Sequence, residues 1–135
     1  MGKRVLLVDW DSRLQGLYRN ALESEGYSVV TASDPKEALS YLPQGRFDAI
    51  VLELQVTDGL DLDYLSEFLG SNRNLKVIIN SCHPEFRNDF RTWIADIFLT
   101  KSQDTTELKK AIHGLLDSQG LRESRNYPQI RESPS

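Results

Sequence analysis

One cysteine among 135 residues, Cys82, excludes an internal disulfide, and no CxxC or Cys/His spacing offers a zinc site. His83 and His113 are the only histidines and stand too far apart in the chain to form a ligand pattern. The thiol reads as small and semi-buried, and the two histidines as ordinary surface residues. Long apolar runs are also missing. Val5 to Val8, which follow Lys3 and Arg4, are stopped by Asp9. That is too short for a signal-peptide core, and no segment approaches the roughly 20 residues of a membrane span. An excess of basic charge is lacking as well: 16 Lys and Arg against 20 Asp and Glu leave a net charge of −4. Nucleic acid and anionic membrane are therefore not expected as direct partners. The expected setting is a reducing, cytoplasmic compartment.

What is present suits one soluble domain. Apolar residues make up 39% and charged residues 27%, and a chain of this length buries roughly two-thirds of its unfolded surface without staples. Short apolar runs alternate five times with stretches of helical period. Val5 to Val8, Ser28 to Thr31, Phe47 to Leu52, Leu75 to Ile79 and Ile97 to Leu99 read as strands. Leu14, Leu17, Tyr18, Ala21 and Leu22 mark the first helix, capped by Asp11 or Ser12 and stopped by Gly26. Asp34-Pro35-Lys36-Glu37 opens the second helix, with Ala38, Leu39 and Leu42 inward. After a loop carrying Asp58-Gly59, Leu62, Leu65 and Leu69 form a third stripe. Phe86, Phe90, Trp93 and Ile94 form a fourth. A capping box at Asp104 to Glu107 opens the fifth helix, with Leu108, Ala111, Ile112, Leu115 and Leu116 inward. Five β-then-α units predict a parallel sheet covered on both faces. From Ser118 the periodicity stops, and Ser118 to Ser135 reads as a flexible tail or the stub of a linker.

Ligands of an open parallel sheet bind outside the carboxyl ends of its strands. There the first strand ends in Asp9, the third in Glu53, the fourth in Asn80-Ser81 and the fifth in Thr100-Lys101. Each alone is what a chain shows on meeting water. Together, two carboxylates, a hydroxyl and an ammonium suit a phosphoryl group with a hard cation such as Mg²⁺. A self-satisfied charge cluster is the plainer reading of the same four groups.

The segments VLLVDWDS, DAIVLELQVTDGLDL, VIINSC and ADIFLTKS resemble the receiver domains of two-component response regulators, over about Lys3 to Leu116. The resemblance implies a flavodoxin-like (βα)5 sandwich with strand order 2-1-3-4-5, over residues 1–117. It also implies phosphorylation by a histidine kinase, on an Asp after strand three, with Mg²⁺ held by an acidic pair. By position Asp9 matches the first acid of that pair, Ser81 the hydroxyl, Lys101 the lysine and Phe98 the switch aromatic. Glu53 stands in the phosphoacceptor position and Trp10 in that of the second acid. Thr57 and Ser102 replace two usual prolines.

A glutamate is one methylene longer than an aspartate, so Glu53 reaches into the phosphoryl space and can pair with Lys101 unmodified. In-line transfer depends on close placement, which the longer arm disturbs. Trp10 removes a cation ligand. Asp11 either replaces it or caps the first helix. The expectation is a degenerate receiver, not an enzyme and requiring no cofactor, that acts through protein–protein contacts. A histidine kinase or a downstream signalling protein is the expected partner. A homodimer would use the face of the fourth helix, fifth strand and fifth helix, with Arg87, Arg91 and Trp93 nearby. Three alternatives stand beside it. The receiver chemistry survives with Mg²⁺ on Asp9, Asp11 and Glu53. A haloacid-dehalogenase-type phosphohydrolase would use Asp9 and Asp11, although Arg13 and the lack of a late acidic motif oppose it. A flavin carrier would need a Gly-rich loop where Trp10 to Arg13 stand.

Overall fold

The computed structural model describes residues 2–53, 74–82 and 95–117, with Glu67 and Gly70. Five strands, β1 (Arg4–Val8), β2 (Ser28–Ala32), β3 (Ala49–Leu52), β4 (Lys76–Ser81) and β5 (Ile97–Thr100), form one sheet in the order β2-β1-β3-β4-β5. Every neighbouring pair is parallel. The described helices are α1 (Ser12–Ser24), α2 (Pro35–Tyr41), continued by a 3₁₀ turn at Leu42–Gln44, and α3 (Thr106–Leu116). The last corresponds to the fifth predicted helix. The third and fourth predicted helices, with Leu62, Leu65, Leu69, Phe86, Phe90, Trp93 and Ile94, lie outside the described residues. So do Thr57, Arg87, Arg91 and the tail from Ser118.

Alternation along the strands divides the core. Leu6, Val8, Ile50, Leu52, Val77 and Ile79 form one cluster with Ala38 of α2 and Leu42 of the 3₁₀ turn. Val5, Leu7, Ala49, Val51 and Ile78 face Tyr18 and Leu22 of α1 and Leu108, Ile112 and Leu116 of α3. Both faces of the sheet are thus buried, which is why the central strands read as unbroken apolar runs. Phe98, the proposed switch aromatic, is half-buried against the first of these clusters.

The helix ends obey local chemistry. Asp11 Oδ1 accepts the N–H groups of Arg13 at 2.9 Å and Leu14 at 3.4 Å, capping α1. At its other end the Tyr27 N–H reaches the Leu22 carbonyl and the Gly26 N–H that of Glu23, a closing pair that needs a left-handed residue between them. Gly26 supplies it with φ 98°. At α2, Asp34 accepts the Glu37 N–H, and Glu37 reaches back to Ser33 rather than to Asp34. The capping box predicted for the last helix is not formed. Thr105 takes the N-cap position without a side-chain bond, while Asp104 accepts the Thr106 N–H at 2.9 Å. Among the described residues no helix is long and apolar enough to cross a membrane.

Candidate functional site

The register brings the strand ends level. Val8 is paired with Leu52, Leu52 with Ile79, and Ser81 with Thr100, so the residues that follow share one edge. Glu53 N–H donates to the Val8 carbonyl and Lys101 N–H to that of Ser81. Asp9, Glu53, Asn80 and Ser81 are all buried.

Lys101 is the centre of the cluster. Its Nζ lies 2.8 Å from Asp9 Oδ2, 3.1 Å from Oδ1 and 3.4 Å from Glu53 Oε1. The side chain is only 7% exposed, so a buried ammonium is shared by two buried carboxylates. Asp9 holds it more closely, and Glu53 Oε1 has no hydrogen bond, only the Coulombic contact. Burial pushes the Glu53 carboxyl up to about 7; Lys101 pulls against that rise and Asp9 adds to it. Burial alone would lower the Lys101 pKa, but its bonds to Asp9 and the charge of Glu53 outweigh this and hold it above its ordinary value.

Three neighbours frame the cluster beside its charged groups. Tyr18 of α1 donates its hydroxyl to the Ser102 carbonyl at 2.7 Å, tying α1 to the loop that carries Lys101. Asn80 is buried beside the same hydroxyl. Cys82 is exposed rather than semi-buried, yet its Sγ lies 3.8 Å from Glu53 Oε2. Desolvation of the sulfur and the Glu53 charge push that thiol up, so it stays protonated near neutrality. The Trp10 indole is 58% exposed and lies over the ammonium, 5.6 Å from Nζ to the ring centroid.

These residues do not fit Mg²⁺. The ion needs close to octahedral oxygen coordination. Asp11, one of the three carboxylates expected as ligands, is turned onto the start of α1 as its cap. Asp9 Oδ1 already accepts the Asp11 N–H at 2.9 Å, and both Asp9 oxygens hold Lys101. An ammonium stands between the two remaining acids. Among the described residues no group of three His, Cys, Asp or Glu could hold a metal ion.

A second polar cluster lies away from this edge. His113 Nε2 is 2.8 Å from Glu25 Oε1 and Nδ1 is 2.6 Å from Asp117 Oδ2, with the Tyr27 hydroxyl 2.9 Å from the same Nδ1. The histidine read from sequence as an ordinary surface residue thus joins the end of α3 to the turn after α1.

The response regulator receiver domain model matches residues 5–113. The alginate biosynthesis transcriptional regulatory protein AlgB of Pseudomonas aeruginosa is 36% identical over 80 residues, 59% of this chain and 18% of AlgB. The transcriptional regulatory protein GlrR of Escherichia coli is 31% identical over 115 residues, 84% of this chain and 26% of GlrR. The chain therefore spans about a quarter or less of these curated relatives. Among solved structures, the response regulator protein TrrA of Thermotoga maritima, in complex with Mg²⁺–BeF, superposes with a TM-score of 0.78 at 30% identity. That alignment covers 84% of this chain and 99% of TrrA. TrrA in complex with the histidine kinase ThkA gives a TM-score of 0.76 at 30% identity, covering 85% of this chain and 99% of that one. Since the family match runs from β1 through every described strand and into α3, the chain belongs to the response regulator receiver domain family of two-component signalling.

Proposed function

We propose that residues 1–117 form a degenerate receiver that signals by protein–protein contact without accepting a phosphoryl group, and that residues 118–135 are a tail or linker. Glu53 takes the phosphoacceptor position, Ser81 that of the hydroxyl, Lys101 that of the phosphate-contacting lysine and Phe98 that of the switch aromatic. The observation that carries the reading is the Lys101 ammonium lying between Asp9 at 2.8 Å and Glu53 at 3.4 Å. The cation that would greet a phosphoryl group already has the Asp9 carboxylate and a Glu53 acid that ionises near about 7 as partners, and incoming phosphate would have to displace them. A histidine kinase or a downstream signalling protein is the partner class this reading favours. TrrA has been crystallised with a histidine kinase. The net charge of −4 disfavours nucleic acid as a direct partner.

Incubation with Mg²⁺ and a small-molecule phosphodonor, followed by intact-mass measurement, tests the proposal. The expected result is no added phosphoryl group and no Mg²⁺-dependent change in Trp10 fluorescence. A stoichiometric adduct on Glu53 would overturn it.

A further inference from the structure

The amino ends of the strands lie at the edge opposite Asp9 and Glu53, and they gather positive charge in a chain that is acidic overall. Lys3 precedes β1, Arg4 opens it, Arg46 stands on the approach to β3, and Lys76 opens β4. Among the described residues none of the four has a carboxylate within ion-pair reach. The two acids at that edge bond backbone instead. Asp48 accepts the Arg4 N–H at 2.8 Å, and Asp96 accepts that of Val77 at 2.8 Å.

Two hollows open at this edge. One of about 470 Å³ runs from the 3₁₀ turn past Arg46 to Asp48 and Asn74. A smaller one, about 170 Å³, is lined by Arg4, Val30 and Tyr41 and shares Gln44, Gly45 and Phe47 with the first. The Arg4 guanidinium is held over the Phe47 ring, 4.5 Å from Cζ to the centroid, and its Nη1 reaches only the Arg46 carbonyl at 3.5 Å. Gly45 lies beside it. The backbone there is extended, with φ −156°, which any residue adopts. A Cβ at that position would meet only the guanidinium of Arg4, the end of a flexible side chain that can move aside. The Arg4 guanidinium has no carboxylate partner among the described residues.

We propose that this edge binds a small organic phosphate, with Arg46 on the larger hollow and Arg4 in the smaller as its guanidinium donors. A planar guanidinium matches a phosphate through paired N–H groups, and one without a carboxylate keeps those donors free. Lys3 and Lys76 add undirected attraction. The larger hollow falls within the roughly 300–1,000 Å³ of small-ligand sites. The site shares no residue with the Asp9–Glu53–Lys101 cluster, so it stands or falls apart from the chemistry there.

Amide NMR of the ¹⁵N-labelled full chain, titrated with phenyl phosphate at constant ionic strength, tests it. Saturable shifts are expected at Gly45, Arg46 and Phe47, with a Kd below about 1 mM. Arg46→Gln, an exposed change that leaves the fold intact, should weaken binding about tenfold. Arg19→Gln on α1 should leave it unchanged. No saturable shift, an unchanged Kd in Arg46→Gln, or equal affinity for a di-glutamate peptide would overturn the proposal.

Discussion

Glu53→Gln should stabilise the protein, and by an amount that grows with pH. Burial raises the Glu53 carboxyl from its ordinary 4.5 to about 7, a value that already includes the pull of Lys101 and the push of Asp9. At about 1.4 kcal/mol per pKa unit, ionising this group in the folded chain costs on the order of 3 kcal/mol more than in the unfolded one. Since the folded-state pKa is raised, the favourable contribution is complete below 4.5. It fades as pH rises through about 7 and is gone above that. Glutamine keeps the shape of the protonated acid at every pH. The two chains should therefore be equally stable near about pH 4, and the variant should lead by about 1–3 kcal/mol near about pH 8.5. Urea denaturation of both proteins across that range at fixed ionic strength gives the difference directly. His113 titrates in both and cancels. A difference independent of pH, or a variant less stable in alkali, would mean that the attraction of Lys101 outweighs the cost of burying Glu53, and the reasoning would fail.

Asp11→Ala should cost about 1 kcal/mol by uncapping α1, and it should leave the Glu53 titration unchanged, because Asp11 meets that cluster only through its backbone N–H to Asp9, which alanine keeps. Chemical denaturation with a ¹³C carboxyl titration reads both effects. His113 is held above its ordinary 6.5 by its bond to Glu25 and then by that to Asp117. Its contribution to stability is full below 6.5 and is lost as pH rises through the raised value, so ring-proton NMR should report a pKa above 6.5. His113→Gln should remove that pH-dependent part of the stability curve.

The sheet was legible because strands covered on both faces must be apolar at every position, a pattern that needs no knowledge of the partner. Its boundaries were less so. Phe47, expected inside the third strand, precedes β3 and lies buried under the Arg4 guanidinium. The fourth strand runs on past Ile79 because Asn80 and Ser81 still find partners in Leu99 and Thr100. Asp9, Glu53, Ser81 and Lys101 could be named in advance because parallel register places whatever follows each strand at one edge. The partners of each could not. Whether Asp11 caps a helix or faces a cation is decided by its backbone angles, and helical period shows that Tyr18 is buried but not where its hydroxyl goes. The His113 cluster joins residues 86 and 88 positions apart, a distance at which local pattern carries no signal. The basic edge follows from the rule that exposed the acidic one. Residues that precede parallel strands converge as surely as those that follow them. Lys3, Arg4, Arg46 and Lys76 are scattered in the chain and vanish in its acidic total, so only the observed register shows that they gather at one edge of the sheet. Charge in such a sheet is informative when summed by strand end, not over the chain.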